Sequence, residues 1–206
     1  SKDATKENTS RQGPINVLNY RGSKLAGKSS FRRKGGKCYL ILTEGLSALN
    51  FALSGMVEAF LGAFPLRGKP INPRDKSIKA ILENEEIKNM LAILGVCSIL
   101  KGQRPIYTSE LRYDGIWALA DQDTDGSHIV ALLVNIFTYL LPELMRNCPG
   151  FISRFATPLI RAIPKTANGK DEVVEFMTKR AFDEWFESLS ESKRRRYEPK
   201  YFKGLG

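Results

Sequence analysis

The chain predicts an α/β domain built on a mostly parallel sheet, and three observations carry that expectation. Two short apolar runs, residues 38–43 (CYLILT) and 116–120 (IWALA), have the length and composition of strands buried on both faces. Each run ends in acid and glycine and passes into a helical pattern: Glu44-Gly45 ahead of residues 48–60, and Asp121 to Gly126 ahead of 129–141. Finally, 206 residues with 42% apolar and 26% charged content are ample for a packed core. No apolar run approaches the ~20 residues of a membrane span.

Residues 1–37 carry ten Lys/Arg against two acids, so most of the net charge of +10 sits in this leader. Such a segment is attracted to phosphate backbones or anionic surfaces. It reads equally as a solvated linker or a piece of a preceding domain. Pro14 and several glycines predict an extended or irregular path, with a weak amphipathic stretch at 15–20, and no secretory signal is expected. The body is then 38–206. Cys38, Cys97 and Cys148, odd in number and scattered, argue against a disulfide framework or a zinc site and for a reducing compartment.

After the first strand, Leu49, Ala52, Leu53, Met56 and Phe60 recur at helical spacing. Residues 63–66 suit a short strand. Arg67, Gly68 and Lys69 follow as two cations about a flexible glycine, a loop that suits a polyanion lying across a neighbouring site. Residues 77–94 read as one or two helices, and 95–113 as mixed, with a loop at 101–105. Beyond the helix at 129–141, capped by Ser127, comes a proline-punctuated connection at 142–150. Residues 151–163 alternate as a strand broken by Pro158. Asn168-Gly169 marks a hairpin turn between 160–164 and 172–177. Phe182, Trp185, Phe186 and Leu189 line one side of a helix at 180–189, residues 193–196 form a basic helix end, and the chain closes on YFKGLG.

The chemistry concentrates at DQDTDGSH, where Asp121, Asp123 and Asp125 alternate over five residues. Three such carboxylates repel one another without a cation, and Mg²⁺ prefers oxygen ligands of this kind. A calcium loop would need a Glu six residues beyond Gly126, where Leu132 stands. If both apolar runs are adjacent parallel strands, their carboxyl ends bring Glu44 within reach of the cation held by Asp121. A solvated acidic turn is the bland alternative; bracketing by a buried strand and an apolar helix argues against it.

The set TEGLSA (43–48), PLRGK (65–69), DQDTDGSHI (121–129) and YFKGLG (201–206) resembles the TOPRIM region of type IIA DNA topoisomerases, best the eukaryotic and large-virus branch. The resemblance covers roughly 37–206 and implies a Rossmann-like, mostly parallel sheet flanked by helices, with a small β-hairpin/helix addition. It implies that Glu44 binds the catalytic Mg²⁺ and serves as general acid–base, that Asp121 ligates the same ion and, with Asp123, a second, and that Asp125 supports the cluster. Mn²⁺ or Ca²⁺ would substitute. Lys69 and Asn72 match positions that contact DNA; Arg67, His128 and Lys203 are further candidates.

One departure stands out: Leu46 occupies a position where the family usually has Asp. No ATPase segment and no winged-helix domain with a nucleophilic tyrosine is found. The resemblance therefore implies a metal-binding fragment of an ATP-dependent enzyme, inactive alone, whose partners are double-stranded DNA and the missing domains. The whole enzyme would be a homodimer off the membrane and inside the cell, nuclear if eukaryotic, in host cytoplasm or nucleus if viral. The alternatives are another TOPRIM enzyme (a primase or OLD-type nuclease), which would lack PLRGK and YFKGLG, and a non-catalytic DNA-binding module working through its basic leader.

Overall fold

A computed structural model describes residues 15–96, 108–121, 124–155, 158–165 and 171–202. In chain order the elements are α1 (Ser29–Arg33), β1 (Tyr39–Glu44), α2 (Gly45–Gly55), β2 (Leu61–Leu66), α3 (Ile78–Glu83), α4 (Glu85–Leu94), β3 (Gly115–Leu119), α5 (Thr124–Leu140), α6 (Pro142–Asn147), β4 (Ile152–Phe155), β5 (Ile160–Pro164), β6 (Val174–Phe176), α7 (Lys179–Ser188), α8 (Glu191–Arg194) and β7 (Tyr197–Tyr201).

β2, β1, β3 and β4 form one sheet in that spatial order, every pair parallel. The β-branched and leucine-rich runs supply a face of Leu40, Leu42, Ile116 and Ala118. It packs with Ile87 and Leu91 of α4 and Ile129, Leu133 and Ile136 of α5 in a single buried cluster. Each large side chain so buried contributes roughly 1.5–3 kcal/mol. α2 lies against β1 and β2, burying Ala48, Leu49 and Ala52 and bordering the opposite face at Ile41 and Leu61. From β1 the chain goes out to β2 on one side and returns through α3 and α4 to β3 on the other. The strand order therefore reverses between β1 and β3, and the crevice at their carboxyl ends is where open α/β sheets hold ligands.

Several expected boundaries move for local reasons. The helix expected at 48–60 begins directly after β1, because Gly45 takes a left-handed φ of 81° and turns strand into helix. It ends at Gly55, where Met56 turns to extended backbone and leaves Phe60 outside the helix. The 77–94 segment divides at Asn84, whose Oδ1 accepts from Ile87 N at 3.1 Å and caps α4. α5 starts at Thr124, five residues ahead of expectation, so Ser127 lies in its first turn and is not its cap. The 142–150 connection contains α6, with Pro142 in its first turn.

The single strand expected at 151–163 is two: β4 completes the parallel sheet and β5 enters a second, antiparallel sheet of order β6-β5-β7. That small sheet buries Ile160, Ala162 and Phe176 in one cluster with Phe182 of α7. β5 and β6 pair as the expected hairpin, while its Asn168-Gly169 turn lies outside the described residues. The basic run is more than a solvated end: Arg194 donates to the carbonyls of Leu189 (3.0 Å) and Glu187 (2.5 Å), closing the C-terminus of α7. The mostly parallel α/β sheet with a hairpin and helix appended is thus the fold observed.

Residues 15–37 lie along the body. Arg21 pairs with Ala63 on the free edge of β2, where Pro65 is tolerated, and Ile15, Val17, Tyr20 and Phe31 pack against the main core. Cys38 and Cys148 are free thiols; Cys97 lies outside the described residues. Among the described residues no helix is long and apolar enough to cross a membrane.

Candidate metal centre and nucleic-acid interface

Register decides how the two carboxylate motifs meet. Thr43 is aligned with Leu119 and Glu44 with Leu66, so Glu44 ends β1 level with Ala120, and Asp121 follows one residue later on the adjacent strand. By the pleat Glu44 shares the face of Leu42. Asp121 lies past the last paired residue of β3, so the turn sets its direction. Glu44 is half-buried, and its Oε2 is buried with no hydrogen-bond partner among the described residues. Leaving such an oxygen unpaired costs on the order of 1–3 kcal/mol, and more when charged. A hard cation is the partner this oxygen suits.

Asp121 is held through its backbone. Nη2 of Arg154, on β4, donates to the Asp121 carbonyl at 2.5 Å, and Nη1 donates to Ser127 Oγ at 3.0 Å. Gly126, in the first turn of α5, packs so closely on the same carbonyl that a Cβ there would collide with it. The sequence suggests Gly126 as a residue for turning; its observed use is this close approach.

The PLRGK loop reaches the same region from β2. Gly68 takes a φ of 84°, and Lys69 Nζ lies 2.8 Å from Asp125 Oδ1, a pair exposed on both sides. The hydrogen bond and charge of Lys69 hold the Asp125 carboxyl below the ordinary aspartate range, with a smaller contribution from His128. Arg67 is fixed by its backbone N–H, which donates to the Glu86 carboxylate in the first turn of α4; burial pushes the Glu86 carboxyl up, against the opposing pull of Arg67. Asn72 Oδ1 accepts from Arg74 N at 3.1 Å, and Asn72 and His128 are exposed.

The structure therefore brings Glu44 and Asp121 to neighbouring strand ends and joins Lys69 to Asp125. Asp123 and Lys203 lie outside the described residues. Among those described, no group of three or more His, Cys, Asp or Glu gathers as a metal site. Sequence reasoning missed Arg154 and Glu86. A lone arginine in FISRF carries no signal separating it from a surface residue; Glu86 stands two residues after a capping Asn, a position typical of helix starts.

No protein-family model matches the chain. It is 40% identical over 203 residues to DNA topoisomerase 2 of Acanthamoeba polyphaga mimivirus, covering 95% of this chain and 15% of that protein. Against mitochondrial DNA topoisomerase 2 of Dictyostelium discoideum the identity is 39% over 176 residues, 84% of this chain and 13% of the relative. The DNA topoisomerase 2 of Arabidopsis thaliana is 36% identical over 209 residues, all of this chain and 13% of that one. The crystal structure of the Plasmodium falciparum topoisomerase II DNA-binding, cleavage and re-ligation domain superposes with a TM-score of 0.78 at 32% identity, over 95% of this chain and 25% of that one. The chain thus spans a small part of the length of these relatives, and over that part it is a homologue of the type II DNA topoisomerases.

Proposed function

We propose that this chain is the metal-binding TOPRIM portion of an ATP-dependent type II DNA topoisomerase, an isomerase that cuts both strands of one duplex, passes another through and reseals the break. Glu44 and Asp121 hold the first Mg²⁺, and Asp121 and Asp123 a second. When bound, Mg²⁺ polarises the scissile phosphodiester and stabilises the leaving 3′-oxygen. Glu44 carries the proton to and from that oxygen. Lys69 exchanges Asp125 for a backbone phosphate, Asn72 contacts the DNA beside it, and Arg67, His128 and Lys203 flank the path. The nucleophilic tyrosine and the ATPase belong to partner domains of the whole enzyme, a homodimer working on intracellular DNA, so the chain alone is inactive.

The observation that carries this reading is Glu44 at the switch point beside Asp121, with a buried carboxylate oxygen lacking a partner among the described residues. Mixing the chain with a tyrosine-bearing partner, Mg²⁺ and supercoiled DNA is expected to give protein-linked breaks, and Glu44→Gln to abolish them. Normal cleavage by that variant removes Glu44 from the mechanism. The cationic leader supports a second reading, a DNA-binding module without catalysis. It predicts equal DNA binding with and without Mg²⁺ and after Asp121→Asn.

A further inference from the structure

We propose that Arg154 is a positioning residue for the aspartate motif: its guanidinium ties together the two ends of the β3–α5 connection and so sets the Asp121 carboxylate for a divalent cation. The proposal rests on the reading of this motif as a cation site. Arg154 is aligned with Ala118 across the β3–β4 pair, one strand removed from the motif it serves. Its side chain crosses to the end of β3, where one nitrogen holds the Asp121 carbonyl (2.5 Å) and another the Ser127 hydroxyl (3.0 Å). Those contacts fall on either side of Asp123. Gly126 presses on the carbonyl that Arg154 holds, so the backbone of Asp121 is fixed from the sheet side and the helix side at once.

The planar fork of a guanidinium suits this task because it fixes two acceptors in a set geometry, which a lysine ammonium does not. The placement is costly. The Nε of half-buried Arg154 is buried without a partner among the described residues, so fewer donors are satisfied than in water. A positive charge beside a cation site also repels the incoming ion. Against this stands the organisation of a ligand loop by its outer partners, whose removal in metal sites typically weakens binding about 10- to 100-fold. Arg154 is half-buried and well within a Debye length of Asp121, so salt screens this repulsion only in part; the carboxylates of the motif offset the rest, and the organising effect is the larger.

The test uses the full 206-residue chain and Mn²⁺ as the probe, with free Mn²⁺ read by electron paramagnetic resonance and unfolding followed without metal. R154A is expected to weaken Mn²⁺ binding about tenfold while remaining folded at the assay temperature. R154K, which keeps the charge and loses the fork, is expected to fall between R154A and the unsubstituted chain. Mn²⁺ affinity in R154A equal to or tighter than that of the unsubstituted chain overturns the proposal, as does R154K equal to arginine, since charge alone then accounts for the effect. A lowered melting temperature with unchanged affinity also overturns it, leaving a structural arginine. If R154A does not fold, R154K decides. Should the unsubstituted chain show no Mn²⁺ binding that Glu44→Gln or Asp121→Asn removes, the cation reading fails first and this proposal with it.

Discussion

At the scale of single residues, the Lys69–Asp125 pair is the most direct link between two motifs 56 positions apart. Hydrogen bonding and charge from Lys69 depress the Asp125 carboxyl, so the pair is intact above the ordinary aspartate value and is lost as pH falls through the lowered one. A carboxyl NMR titration is expected to place Asp125 below an ordinary aspartate in the unsubstituted chain and to return it upward in Lys69→Met. An unchanged midpoint would mean that Lys69 is not its partner in solution. The residue types of both motifs, a lysine beside a glycine and acids in alternation, were legible in the sequence. That Lys69 faces Asp125 was not, because spacing along the chain says nothing about which loops a sheet brings together.

Elements were legible wherever period and burial agreed. β1 and β3 appear within a residue of expectation because a short apolar run bounded by glycine and acids has few other uses. The errors fall at both ends of helices and at strand breaks. α5 begins at Thr124 because contacts at the Asp121 carbonyl draw the motif into its first turn, and no local propensity encodes those contacts. Asn84 shows the opposite case, a boundary decided locally by one residue, whose backbone N–H closes α3 on the Ile81 carbonyl and whose side chain caps α4. Asn84→Ala is expected to cost about 1 kcal/mol in urea unfolding. Because α4 anchors Arg67 through Glu86, the same change should loosen the PLRGK loop, seen as faster amide exchange at residues 67–69.

For the whole molecule, a polar network inside an apolar setting ties the leader to the body, beside the Arg21–Ala63 pairing and the Arg32–Asp114 ion pair. Tyr20 and Tyr113 share a hydroxyl contact of 2.5 Å, and Ser23 N donates to Tyr113 Oη at 3.1 Å. Gly62 on β2 makes room for that hydroxyl, since a Cβ there would overlap it. Burial pushes both phenols well up, so the network stays neutral through the physiological range. Tyr113→Phe leaves the Tyr20 hydroxyl and Ser23 N–H without this partner and is expected to cost about 1–3 kcal/mol. Limited proteolysis should then cut more readily within residues 15–37, whereas an unaltered pattern would show that apolar packing, the backbone pairs and the Arg32–Asp114 ion pair hold the leader without this network.

By itself the sequence determined the α/β class, the two strand–acid–helix units and the clustering of acids at the strand ends, because burial periodicity and residue type are written locally. Tertiary structure decided which strand ends are neighbours, that Glu44 keeps a buried oxygen unpaired among the described residues there, and that Arg154 reaches across from β4 to the Asp121 backbone. Those are outcomes of strand order and close packing between residues distant in the chain, and no window along a sequence contains them.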